Sequence, residues 1–267
     1  MWSNCLAGWW LAGDHDWEHL PLLLAGVSCV FLGGAFLNDA LDADFDRGHR
    51  PHRPIPSGRV TAQAAWRWGV GWLIAGALLL LWLGKVTGSL GLGLVLLSVL
   101  YNAAHRQTPF APVLKGLCRC FLYLLGASIS VRGLSGWPIW CGLALAVYTS
   151  GIGRLALWEE KPKEARYWPL LLLAAPIVLA LLMDINVDLY REHALLVSAV
   201  LLLWTLRALR PAFWTAEPDL RQTLPGLIAG IVFVDWLAVA DAPRQLSFVF
   251  LGLFAATVML QKLLPER

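Results

Sequence analysis

The stretch LPLLLAGVSCVFLGGAFLNDALDADFDRGHRPHRPIPSG, Leu20 to Gly58, decides the fold. Its first part, Leu20 to Leu37, carries no charged side chain. A membrane-crossing helix needs about 20 predominantly apolar residues. Backbone polar groups in hydrocarbon must be satisfied within the segment, so such a run is a helix rather than a strand. The run then ends abruptly in Asn38-Asp39-Ala40-Leu41-Asp42-Ala43-Asp44-Phe45-Asp46-Arg47. On a helix, Asp39, Asp42 and Asp46 stand at i, i+3 and i+7 and share one face, which Asn38 joins. Crowded carboxylates repel one another unless a cation lies between them. Mg²⁺ is a hard, oxygen-seeking ion that takes one or two carboxylates and completes its shell with water and phosphate oxygens. Behind the acids come Arg47, Arg50, Arg53 and Arg59, interleaved with Pro51, Pro54 and Pro56. Proline holds the loop out of helix, and arginine binds phosphate oxygens through paired contacts. An acidic helix tip followed by a basic loop is what a metal-bridged diphosphate requires.

The rest of the chain extends the membrane reading. Of its 267 residues, 58% are hydrophobic and 15% charged, against about 25% charged in soluble domains. Fifteen tryptophans suit membrane interfaces. Apolar segments fall near 2–13, 20–37, 64–84, 89–104, 117–132, 137–155, 168–183, 193–209, 225–241 and 246–262. None alternates with the period of a membrane β-barrel. The pattern predicts an all-α, polytopic membrane helix bundle, one domain over 1–267. The first segment is short and runs into Asp14-His15-Asp16. It reads either as the end of a helix that begins further upstream or as a short, tilted or interfacial helix.

Strict alternation puts the loop after Leu37 on the same side as Arg106, Lys115, Lys161, Lys163, Arg166, Arg210 and Arg221. The opposite side holds Lys85, Arg132, Arg191 and Arg244. Basic residues collect on the cytoplasmic side. The expectation is therefore a multi-pass protein of the plasma (inner) membrane with its Asp-rich loop in the cytoplasm. The net charge of +3 is no nucleic-acid signature. Cys5, Cys29, Cys118, Cys120 and Cys141 lie in or beside apolar runs, without metal-site spacing, and read as packing residues.

Asn-Asp-x-x-Asp-x-x-x-Asp at 38–46, followed by Arg53-Pro54-Ile55-Pro56-Ser57-Gly58, resembles the first motif of the UbiA superfamily of intramembrane prenyltransferases. Tyr101-Asn102-Ala103-Ala104-His105-Arg106 is similar to that family's Tyr-x-x-x-Lys-Arg, with His105 in place of the lysine. The stretch on to Gly116-Leu117-Cys118-Arg119 resembles the EboC-like branch. The likeness covers roughly 20–130. It implies nine helices around a central lipid-facing cavity, with Mg²⁺ and a polyprenyl diphosphate held by two Asp-rich motifs. It also implies a carbocation-like prenyl group that alkylates a small, lipophilic or aromatic acceptor. Carried over residue by residue, Asp39, Asp42 and Asp46 are the metal ligands and catalytic acids. Asn38, Arg50, Arg53, Tyr101 and Arg106 contact the substrate.

The chain departs from the family at its second motif. Tyr148-Thr149-Ser150-Gly151-Ile152-Gly153-Arg154-Leu155-Ala156-Leu157-Trp158-Glu159-Glu160 contains no aspartate. Glu160 is the candidate replacement ligand, and Arg154 is a candidate fixed charge facing the diphosphate. A scaffold without that motif could instead bind or help export a lipophilic metabolite without chemistry. Asp235, alone in an apolar run, is either functional or turned inward onto polar partners.

Overall fold

Helices account for all regular structure among the described residues. The computed structural model describes residues 1–13, 17–106, 108–130, 132–160, 167–182, 188–215 and 219–263; the side chains of 158–160, 188, 189 and 221 lie outside that description. In chain order the helices are α1 (Trp2–Leu11), α2 (Leu20–Leu41), α3 (Ala43–His49), α4 (Ala62–Trp82), α5 (Lys85–Ala104), α6 (Ala111–Ser128), α7 (Gly136–Glu160), α8 (Pro169–Leu172), α9 (Ala175–Leu182), α10 (Asp188–Phe213), α11 (Leu220–Ala238) and α12 (Arg244–Leu263). Seven of them, α2, α4, α5, α6, α7, α10 and α12, are long and apolar enough to cross a membrane; α11 is a shorter apolar helix.

Two boundaries differ from the sequence expectation for physical reasons. The apolar run that ends at Leu37 is not where the helix ends. Helical hydrogen bonds continue through the acidic segment, with the Asp42 amide on the Asn38 carbonyl at 2.9 Å and the Asp46 amide on the Asp42 carbonyl at 2.9 Å. Conversely, the segment expected as one span at 168–183 is broken into α8 and α9. Pro176 lies in the first turn of α9 and has no N–H to carry a helix ladder across the break.

α2 and α4 meet along a seam of glycines. A Cβ added at Gly33 would lie 2.8 Å from the Gly69 carbonyl oxygen, and one at Gly76 would lie 2.8 Å from the Gly26 carbonyl oxygen. Small residues let membrane helices approach to backbone contact. α1 is packed inside the bundle. Cys5, Ala7 and Trp9 are fully buried, and α1 packs on α6, α7 and α11. One apolar core runs continuously from Cys5 to Phe250. The cysteines are all free thiols, and Cys5, Cys120 and Cys141 are buried in it.

Candidate functional site

The acidic tip of α2 and α3 is assembled by three elements that the chain brings back to it. The first is α2–α3 itself, whose unbroken helical course places Asp39, Asp42 and Asp46 on successive turns. The second is the loop after His49, which folds as consecutive tight turns. The Arg53 amide bonds the Arg50 carbonyl at 3.1 Å, the Ser57 amide bonds the Arg53 carbonyl at 3.0 Å, and the Gly58 amide bonds the Ile55 carbonyl at 3.0 Å. Gly58 has φ +77°, a conformation that glycine adopts without strain. This course returns Arg53 to the helix it left. The third is the C-terminal end of α5. Asn102, buried, donates from Nδ2 to the Gly34 carbonyl at 3.0 Å, which fixes α5 against α2 and sets His105 and Arg106 over the tip.

Two guanidinium groups divide the three carboxylates. Arg53 donates from an η nitrogen to Asp46 Oδ2 at 2.9 Å and lies 3.7 Å from Asp39 Oδ1. Arg106 donates from Nε to Asp42 Oδ1 at 2.8 Å, and its guanidinium carbon sits 3.5 Å from the centre of the Phe45 ring. His105 Nε2 is 3.3 Å from the same Asp42 oxygen, while its Nδ1 faces the Asn102 carbonyl at 2.9 Å. Asn38 Nδ2 approaches Asp42 Oδ2 at 3.4 Å. Asp42 and Asp46 are buried, whereas the Asp39 side chain is about half exposed. Asp44, as its position between the other acids implies, points away and pairs with Arg47 at the surface.

One donor at the tip lacks a partner that Mg²⁺ would supply. Asp46 Oδ1 is buried with no hydrogen-bond partner. An unsatisfied buried acceptor costs about 1–3 kcal/mol, and a hard cation would relieve it. The neighbouring Asp39 supplies a second oxygen donor of the kind Mg²⁺ prefers. Among the described residues no three acidic, histidine or cysteine side chains converge as a ready-made metal cluster, because Arg53 and Arg106 occupy the charge positions between them. The residues fit an ion bound together with phosphate, which would draw the arginines outward, better than an ion bound alone.

Behind the tip lies a cavity of about 410 Å³. Its walls are largely apolar: Val27, Val30 and Phe31 from α2, Leu94 from α5, Leu122 from α6, and Ile228 and Ile231 from α11. Asn38, Tyr101 and Asn102 line it from α2 and α5, and Lys115 and Arg119 from α6. On α7, Thr149, Ile152 and Gly153 form the wall, so no carboxylate faces the cavity from that helix among the described side chains. Asn38 and Tyr101 therefore join the acidic tip to the cavity. Arg154 does not line it and instead lies 5.6 Å over the Trp168 ring. Arg50 is exposed at the start of the loop and does not line it either. The side chain of Glu160 lies outside the described residues.

Several residues at the site escape sequence inspection. Asn102 carries a register-setting bond, and its only signal is a polar side chain in an apolar helix. Phe45 supplies the ring beneath Arg106. Asn4, from α1, reaches Arg119 and Asp235 across the whole chain, and nothing local announces it.

A family model described as the UbiA prenyltransferase family matches residues 1–216. A digeranylgeranylglyceryl phosphate synthase of Methanothrix thermoacetophila is 32% identical over 121 residues, 45% of this chain and 43% of that protein. One of Methanopyrus kandleri is 29% identical over 203 residues, 61% of this chain and 74% of that protein. The chain thus spans less than half the length of the Methanothrix relative. Two solved structures share the fold. One comes from work titled "Structural and mechanistic insights into the biosynthesis of Digeranylgeranylglyceryl phosphate synthase in membranes", with TM-score 0.64 at 18% identity, covering 89% of this chain and 92% of the other. The second, the apo structure of a UbiA homolog from Aeropyrum pernix K1, gives a TM-score of 0.56 at 16% identity over 98% of this chain and 97% of the other.

Proposed function

Because the chain belongs to the UbiA prenyltransferase family, we propose that it transfers a prenyl group from a polyprenyl diphosphate to a small lipophilic acceptor within the membrane. The observation that carries this reading is one junction. A tip of aspartates balanced by arginines opens, through Asn38 and Tyr101, into an apolar cavity in the bundle. The cavity takes the prenyl tail, and the tip takes the diphosphate. Arg53 and Arg106 exchange carboxylate oxygens for phosphate oxygens, with which guanidinium makes stronger, paired contacts. Asp39, Asp42 and Asp46 would hold Mg²⁺, with Asp42 also keeping Asn38 and His105 oriented. When bound, Mg²⁺ neutralises the charge that grows on the leaving diphosphate.

The allylic C–O bond breaks with its electron pair leaving on the diphosphate. The acceptor's nucleophilic atom then bonds to the freed carbon and gives up its proton to the released diphosphate. The apolar walls keep water from intercepting the cation-like carbon. Two acceptor classes have support: the family resemblance favours an aromatic nucleophile, and the names of the relatives favour a glyceryl phosphate. By the basic-side rule the tip faces the cytoplasm.

Asp42→Ala tests the reading. With geranyl to geranylgeranyl diphosphates as donors, it abolishes pyrophosphate release while the protein still inserts and keeps its helical content. Wild-type turnover by Asp42→Ala would remove the carboxylate from the chemistry. One observation favours a second reading. Among the described side chains the cavity wall from α7 offers Thr149 and Gly153 but no acid, as suits a carrier that binds isoprenoid diphosphate without cleaving it. Saturable diphosphate binding without pyrophosphate release, across acceptors, would select that reading.

A further inference from the structure

Phe45 is an aromatic ring that core packing does not account for. It precedes the buried Asp46 on α3, yet it is 43% exposed and has no place in the apolar core. Both faces of the ring are nevertheless covered, and by planar polar groups. The His49 imidazole lies parallel to one face, with ring centres 4.0 Å apart and planes 7° apart. A contact between His49 Nδ1 and the Phe45 carbonyl oxygen at 3.0 Å holds the imidazole there. The Arg106 guanidinium carbon is 3.5 Å from the centre of the Phe45 ring. Two groups this close to one ring centre cannot share a face, so Arg106 takes the side opposite His49.

Arg106 therefore meets Phe45 with its plane and Asp42 with its edge. Nε donates to Asp42 Oδ1 at 2.8 Å. The η nitrogens form no hydrogen bond or ion pair with a protein group among the described residues. Guanidinium binds carboxylate and phosphate through N–H groups in its plane, and it stacks on aromatic rings through its face. The two kinds of contact do not compete. A phosphate oxygen can engage the η nitrogens and then take over the edge while the ring keeps the face.

We propose that Phe45 is a positioning residue, whose ring holds the Arg106 guanidinium in place while its hydrogen-bonded partner changes from Asp42 to the diphosphate. Without the ring, a single Nε–H bond restrains a long, flexible side chain. An arriving diphosphate would then have to remove the freedom that the ring already removes, and binding weakens by that cost. An aliphatic side chain at this position supplies volume but not the negative ring face that attracts a cation. The proposal rests on the prenyl-transfer reading for the identity of the diphosphate and adds to it a residue that touches neither metal nor substrate.

The test is ligand binding to the purified full chain in nanodiscs, without acceptor and at one Mg²⁺ concentration. Inorganic pyrophosphate probes the tip alone, and geranylgeranyl diphosphate probes tip and cavity together. Phe45 is replaced in turn by mono-, di- and trifluorophenylalanine, which drain negative charge from the ring face in steps and hardly change its size. Pyrophosphate affinity falls stepwise along the series, by about two- to tenfold at its end, the scale of immobilising one long side chain. In an Arg106→Gln background the same series is flat, as coupling through that one guanidinium requires. Phe45→Leu matches the end of the series and serves if the fluorinated chains do not fold. Undiminished affinity along the series and in Phe45→Leu overturns the proposal. So does an equal fall in both backgrounds, which would make the ring a support of the fold alone. If wild type binds geranylgeranyl diphosphate no more tightly than pyrophosphate, the prenyl-transfer reading fails, while the pyrophosphate series still decides the role of Phe45. A wild type that binds neither overturns both.

Discussion

Arg106 illustrates how much one side chain does at this tip. Its Nε–H reaches Asp42 at 2.8 Å while the guanidinium plane covers Phe45 at 3.5 Å. Lysine keeps the charge but has neither the Nε–H nor a planar face. Arg106→Lys should therefore lower kcat/KM for prenyl transfer by about tenfold or more, the scale of one hydrogen bond to a charged group. Arg106→Gln should fall further, since it also leaves Asp42 buried without its cation. Steady-state pyrophosphate release checks both, and a fully active Arg106→Lys would reduce the residue to a point charge. At this scale the sequence was informative wherever partners are close in the chain. The spacing of Asp39, Asp42 and Asp46 follows from helical geometry alone, and Arg53 lies within the same loop. It was silent about Arg119 and Asn4, 115 residues apart, because no local rule pairs a polar residue of one membrane helix with one on another. Arg154 shows the converse: as the base in a motif region without aspartate it suggested a fixed charge facing the diphosphate, but it lies over Trp168 and does not line the cavity.

At the scale of elements, the glycine seam between α2 and α4 fixes the helix that carries the acids. A side chain at Gly33 meets the Gly69 backbone, which cannot rotate away. Gly33→Val should destabilise the protein by about 1–3 kcal/mol, as overpacking does, and lower the Tm of the detergent-solubilised chain. Gly71 lies on the same α4 with open space around its Cβ position, so Gly71→Ala should leave Tm unchanged or slightly raised. Equal effects at both positions would mean that the seam does not hold the helices together. The helix inventory was largely legible from hydropathy, because a membrane leaves the backbone few alternatives. The failures arose where hydropathy and hydrogen bonding disagree. The acids of α2–α3 continue a helix although they are polar, and Pro176 breaks one although its surroundings are apolar. α1 was ambiguous because a short apolar run is compatible with several depths, and only its packing on α6 places it inside.

For the whole molecule, the legible feature was the uneven distribution of basic residues, which required the helix ends near residues 38–59, 105–116 and 156–167 to share a side. The contact from Arg106 to Asp42 brings the first two of these ends together, while most of 156–167 lies outside the described residues. The central cavity was expected from the family resemblance alone and from no run of residues, since its walls are ordinary apolar side chains brought together by how the helices tilt. One further consequence concerns the two guanidinium groups at the tip. They already screen the carboxylates from one another, so the architecture does not lean on an inorganic ion in the way a zinc finger does. Soaking the pure protein in EDTA should leave its melting temperature where it was, even as any ion-dependent turnover stops. A sample that instead lost its helices on chelation would reveal a scaffolding role for the ion that Arg53 and Arg106 do not fill.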